Sequence, residues 1–266
     1  MARAHRNYIP GYVWHLTHRC HKGEFLLKFS RDKRRWLQWL FEAKKRFGFC
    51  VLDYMVTSNH IHLLVLDNGE EVIPRSIQLI AGKTGQEYNQ RKDRKGAYWE
   101  DRYHATAVES GSHLIRCLVY IDLNMVRAGV VEHPSGWPFS GYHEIQNPLR
   151  RYSLVNRKRL MNLLGIRDSD QLRIAHKQWI EEILKGGMSI REAKWTESIA
   201  IGSKAFVEGI QEKLGIKAKG RKVVGDSDTY ELREAQSSYG DVFDIEKTIL
   251  RSKNAYLWNT YSNKSI

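Results

Sequence analysis

Two histidines separated by one residue, His60 and His62, lie in the aliphatic run Thr57-Ser58-Asn59-His60-Ile61-His62-Leu63-Leu64-Val65-Leu66. Side chains alternate faces along a strand, so both imidazoles project from one side and can share a ligand, for which a divalent ion is a natural candidate. An ordinary pair of hydrogen-bonded strand histidines has the same spacing. Farther along, Tyr120 and Asn124 are four apart in a segment of helical periodicity, which stacks a phenol and a carboxamide one turn above each other. A tyrosine packed on a helix surface would look the same. A phenol, with a reference pKa of about 10, becomes a useful nucleophile only when an ion or a neighbouring base assists it.

The elements that must position these groups follow from the pattern around them. Tyr12 to Cys20 reads as a first strand, with Val13, His15, Thr17 and Arg19 on one face, bracketed by Gly11 and Gly23. Ser30 is placed to cap a helix reaching Phe47, with Trp36, Trp39, Leu40 and Ala43 as its buried stripe and Gly48 as its stop. The runs Phe49 to Val56 and His60 to Leu66 form a hairpin through the polar turn Thr57-Ser58-Asn59. Asp67-Asn68-Gly69 ends it, and Pro74 suits the first turn of a second helix that runs to Arg91. A fourth strand lies within Tyr98 to Val108. The order strand, helix, strand, strand, helix, strand is the α+β ferredoxin-like arrangement, a four-stranded antiparallel sheet with two helices on one face and the other face open as a platform.

A third helix is expected from a cap at Ser112 to Gly129, with Leu114, Leu118, Ile121 and Met125 as its core stripe. The Trp-, Pro- and Gly-rich stretch that follows closes a core domain over residues 1–148. Residues 149–266 form a second, mainly α-helical extension, with helices over Gln171 to Leu184 and Ser203 to Leu214 and a basic patch at Lys217, Lys219, Arg221 and Lys222. The pattern of the tail beyond that patch specifies no element.

The chain has 266 residues, with 43 Lys and Arg against 30 Asp and Glu for a formal charge of +13, which points to a polyanionic partner. Eight Trp and thirteen Tyr suit stacking on unpaired bases as well as core packing. Cys20, Cys50 and Cys117 have neither disulfide-framework nor zinc-ribbon spacing, and the start Met1-Ala2-Arg3-Ala4-His5-Arg6 precedes no apolar run, so a cytoplasmic protein without membrane spans is expected.

His60-Ile61-His62, Trp99-Glu100-Asp101-Arg102-Tyr103 and Tyr120-Ile121-Asp122-Leu123-Asn124-Met125-Val126-Arg127-Ala128-Gly129 together resemble the HUH single-strand endonucleases, and more closely the REP-associated tyrosine transposases and their insertion-sequence relatives. The resemblance covers roughly residues 8 to 145. Met125 stands where relatives often carry Pro. The resemblance implies that His60 and His62 bind Mg²⁺ or Mn²⁺ with Asn124 as third ligand. It also implies that Tyr120 attacks a phosphodiester to leave a 5′-phosphotyrosine, and that single-stranded or hairpin DNA is the substrate. Arg19, Arg102, His113, Arg127 and the patch Lys217, Lys219, Arg221 and Lys222 are the candidate DNA contacts. Monomer and homodimer both remain open. The alternative is a non-catalytic ferredoxin-like module for RNA or single-stranded DNA, stacking bases on Trp14, Tyr54 and Trp99.

Overall fold

The computed structural model describes residues 9–69, 71–187, 192–226 and 228–234; the N-terminal Met1 to Arg6 and the tail beyond Glu234 lie outside the described residues. The first half follows the expected order: β1 (Val13–Arg19), α1 (Ser30–Phe47), β2 (Cys50–Val56), β3 (His60–Leu66), α2 (Val72–Arg91) and β4 (His104–Val108). β1 pairs antiparallel with both β3 and β4, and β2 pairs antiparallel with β3. The β2–β3 turn falls on Thr57-Ser58-Asn59, where the Thr57 N–H donates to the His60 carbonyl at 3.0 Å.

Two caps differ from expectation. Ser30 and Ser112 are the first helical residues, preceded by Phe29 and Gly111, and neither helix start has a side-chain cap. Gly111, at φ 77°, takes a backbone conformation that most side chains resist, and this conformation supplies the sharp entry into the helix that a serine cap was expected to mark. Gly48, at φ 71°, ends α1 in the left-handed conformation its position predicts.

The sheet has seven strands rather than four, in the order β2-β3-β1-β4-β5-β7-β6. β5 (Ala200–Gly202) runs parallel to β4, and the hairpin β6 (Arg221–Asp226) and β7 (Thr229–Glu234) extends the sheet antiparallel beyond it. A three-residue strand shows no alternation, and the β6–β7 hairpin is mixed in polarity, so period-two patterning left no signal there. The sheet therefore continues into the expected extension, beside its helices α6 (Arg157–Leu164), α7 (Ser169–Lys185), α8 (Lys194–Glu197) and α9 (Lys204–Leu214).

The face expected to be open is covered. His18 points from β1 toward α2: its ring stacks on Trp99 at 4.1 Å, and Trp99 Nε1 donates to the Ala81 carbonyl. His15 points the opposite way and is fully buried beneath α3 (Ser112–Asp122) and Trp195 of α8. After α3 the chain turns at Leu123 into α4 (Asn124–Arg127), then into α5 (Tyr142–Gln146), so the expected single helix to Gly129 is two. Trp14 and Tyr54 are core residues, and Trp99 is held by His18 and Ala81, so the three aromatics form no stacking platform.

Candidate active site

The two strand histidines are held in defined orientations. His60 opens β3, and its Nδ1 lies 2.7 Å from Asn59 Oδ1 and 3.0 Å from Thr57 Oγ1. The Asn59 amide is itself oriented, since Nδ2 donates to the Gly23 carbonyl at 3.3 Å. Oδ1 therefore accepts, His60 carries its proton on Nδ1, and the lone pair sits on Nε2. His62, two residues on, is 2% exposed. Its Nδ1 lies 2.9 Å from His15 Nε2 and its Nε2 lies 3.1 Å from Asn124 Nδ2. The His60 and His62 rings meet edge to face with centroids 4.9 Å apart, and His15 stacks on His62 at 5.1 Å. Burial pulls the His15 pKa down to about 3, helped by His104, against the hydrogen bond that His15 donates to the Trp195 carbonyl.

α3 brings Tyr120 to this cluster. Its ring stands edge-on to His62 and His15, with centroids 6.1 and 6.2 Å away, and faces Trp195 at 5.9 Å. The Arg127 guanidinium lies over the ring at 4.1 Å and donates to the Tyr120 carbonyl. Burial lowers the Arg127 pKa, while Tyr120 and Glu192 hold it up. The turn at Leu123 sets Asn124 on the next helical turn, where its amide meets His62.

The donor set, two imidazoles and an amide, could hold a divalent ion. Adjacent ligands of an octahedral ion at about 2.1 Å stand about 3 Å apart, close to the 3.1 Å between His62 Nε2 and the Asn124 amide. Turning that amide over would present its oxygen, since amide oxygen and nitrogen are nearly isosteric. Two neutral imidazoles and an amide would leave an ion its charge, and among the described residues no three His, Cys, Asp or Glu side chains gather into a metal-binding group.

The other residues marked in the sequence do not join this cluster. Arg19 is exposed and lies 3.6 Å from Glu100, and Arg102 is exposed in the loop before β4. His113 is buried, donating from Nε2 to the Asp228 carbonyl at 3.1 Å with Nδ1 3.3 Å from Glu109. Lys219 and Lys222 are exposed and Arg221 is half-buried, at or beside β6 on the far edge of the sheet; the side chain of Lys217 lies outside the described residues. Five strand spacings separate β6 from β3, or roughly 24 Å.

Three contributors were not singled out by sequence. Asn59 was visible beside His60, and His15 was visible on the strand face that carries Val13 and Thr17. Trp195 had no such signal, because its place depends on the chain returning from α7. A second buried polar cluster also appeared. Asp122 accepts from His176 Nε2 at 2.7 Å, His176 Nδ1 meets Gln146 Nε2 at 2.8 Å, and burial with the nearby Asp122 charge drives the Asp53 pKa well above the usual carboxylate range. A Cβ on Gly141 would stand 2.1 Å from Asp53 Oδ1, so this packing requires glycine there.

Residues 11–124 match the model of a family described as IS200-like transposase. Among solved structures, a REP-associated tyrosine transposase bound to a REP hairpin is 22% identical over 57% of this chain and 90% of that one, with a TM-score of 0.47. A candidate transposase from Deinococcus radiodurans R1 is 16% identical over 38% of this chain and 82% of that one, with a TM-score of 0.31. No curated protein matches this sequence.

Proposed function

We propose that the chain, whose residues 11–124 match the IS200-like transposase family, is a transposase of that kind that cleaves and rejoins single-stranded DNA beside hairpin repeats, with Tyr120 as nucleophile. The observation that carries this reading is the meeting of Tyr120 with His62 and Arg127, and of His62 with Asn124, on one buried face.

The Tyr120 oxygen attacks the scissile phosphorus as its proton leaves to solvent. The P–O3′ bond breaks, the departing oxygen takes a proton, and a 5′-phosphotyrosine and a free 3′-hydroxyl result. One phosphodiester has replaced another, so a 3′-hydroxyl can attack the phosphotyrosine and restore Tyr120 without an energy source. Arg127 supports the phenolate in both directions. His60, His62 and Asn124 would hold a Mg²⁺ or Mn²⁺ ion, which would supply Lewis-acid polarisation of the phosphate and offset transition-state charge. Their fixed rings limit the reorganisation needed at the moment of attack.

Arg19, Arg102 and the basic patch from Lys217 to Lys222 contact phosphates of a hairpin stem, leaving recognition and chemistry at different parts of the sheet. Among the described residues no helix is long and apolar enough to cross a membrane. The three cysteines are unpaired and buried, which fits action in the reducing cytoplasm.

The test is a labelled single strand carrying a hairpin, incubated with the protein and Mn²⁺. Wild type yields a cut strand and, with a second 3′-hydroxyl strand present, a rejoined one; EDTA abolishes both. Full cleavage in EDTA overturns the metal assignment, and cleavage without rejoining argues for hydrolysis.

A further inference from the structure

The buried face behind the proposed metal site contains a directional chain of hydrogen bonds. His15 Nδ1 lies 2.9 Å from the Trp195 carbonyl, His15 Nε2 lies 2.9 Å from His62 Nδ1, and His62 Nε2 lies 3.1 Å from Asn124 Nδ2. A carbonyl oxygen only accepts, so His15 must donate from Nδ1. His15 is fully buried, and its two hydrogen-bond partners are a carbonyl and another imidazole, with no carboxylate to stabilise a second ring proton. A neutral ring that donates from Nδ1 accepts at Nε2. His62 must then donate from Nδ1, which leaves its lone pair on Nε2, the nitrogen facing Asn124.

We propose that His15, oriented by the Trp195 main-chain carbonyl, is a positioning residue that fixes His62 in the tautomer able to ligate a metal through Nε2. The inference rests on the reading of His62 as a ligand, and it deepens that reading. It also gives the segment around α8 a role in the chemistry. Trp195 lies well beyond the family-matched residues 11–124, yet its carbonyl ends the chain that orients His62 and its ring covers Tyr120. Without such a partner an imidazole divides its proton between both nitrogens, and part of the population presents N–H to the ion. Partners of metal-ligating histidines typically change metal affinity by about 10- to 100-fold when removed.

The expected consequences separate three variants. His15→Phe keeps an aromatic ring but accepts nothing from His62. His15→Gln can bring an amide oxygen close to where Nε2 stood and restore the acceptor. His62→Ala removes the ligand itself. The first measurement is a long-range proton–nitrogen spectrum of the full-length, metal-free protein labelled with ¹⁵N-histidine, in which the His62 signal is identified by its loss in His62→Ala. Wild type and His15→Gln should show His62 protonated at Nδ1 and bare at Nε2, and His15→Phe should show a proton shared between the two nitrogens. The second is Mn²⁺ titration followed by paramagnetic resonance, where His15→Phe should bind about 10- to 100-fold more weakly than wild type and His15→Gln should recover most of that loss. A proton on His62 Nε2 in the wild-type spectrum overturns the proposal, whether or not His15→Phe folds. So does an unchanged His62 tautomer in a folded His15→Phe. If His62→Ala binds Mn²⁺ as well as wild type does, the ligand assignment fails instead, and the tautomer result stands by itself.

Discussion

Tyr120 and Asp122 are two residues apart on α3, hence about 200° apart around its axis, and each serves a different buried polar cluster. On one side, Tyr120 meets His15, His62 and Arg127, with half-buried His60 and Asn124 completing the set. On the other, Asp122 meets His176 and approaches Asp53 where burial is complete. Both clusters contain fixed histidines, and both would attract notice as perturbed sites. They differ in what their fixed groups face. The first presents imidazole lone pairs, an amide and a phenol toward a half-buried edge. The second is enclosed within the protein, and its Asp122–His176 bond ties α3 to α7. Burial and a displaced pKa mark both, so only the first cluster's edge position and its proposed nucleophile set it apart from the second.

That contrast can be broken by paired substitutions. His62→Ala should lower cleavage by about 10²- to 10³-fold, the scale of losing one main electrostatic contributor, while the melting temperature moves by only a few degrees. A variant that cleaves normally removes His62 from the site. Asp122→Ala should do the reverse, costing about 3 kcal/mol of stability by stranding His176, read by urea denaturation; a neutral result would mean the pair does not hold α3.

A smaller effect comes from Asp53. Its pKa is raised by burial first and by Asp122 second, so the folded state binds its proton more tightly than the unfolded chain. This contribution is fully present below about pH 4 and is lost as pH rises through the folded pKa. Asp53→Asn should therefore melt above wild type at pH 8, with the gap closing toward pH 4; a gap independent of pH would show that Asp53 is not protonated on folding. The smallest expected effect lies farthest from α3. Replacing Lys217, Lys219, Arg221 and Lys222 by Ala should flatten the dependence of log affinity for a hairpin strand on log salt, by roughly 0.7 to 0.9 for each phosphate left without its cation. Cleavage at saturating DNA should persist, and an unchanged slope would detach the patch from DNA.

The sequence made the first cluster legible because its parts obey short periods. His60 and His62 share a strand face, Tyr120 and Asn124 share a helix side, and the four-strand order follows from alternation and turn residues. It concealed what depends on distant return of the chain. β5 is too short to show a period, Trp195 meets His15 only after α7 has turned back, and Asp53 meets Asp122 only because β2 lies under α3. The open face was expected from the βαββαβ order alone, and the segments after β4 are what cover it.

The central claim is that the Tyr120 oxygen forms the covalent bond to DNA. Wild-type protein should be incubated with Mn²⁺ and a hairpin-bearing single strand, denatured, digested with nuclease and protease, and its nucleotide-bearing peptide sequenced by mass spectrometry. The account predicts a 5′-nucleotide on Tyr120 and no adduct in Tyr120→Phe; a nucleotide on Tyr103 or Tyr142, or an adduct that survives in Tyr120→Phe, contradicts it.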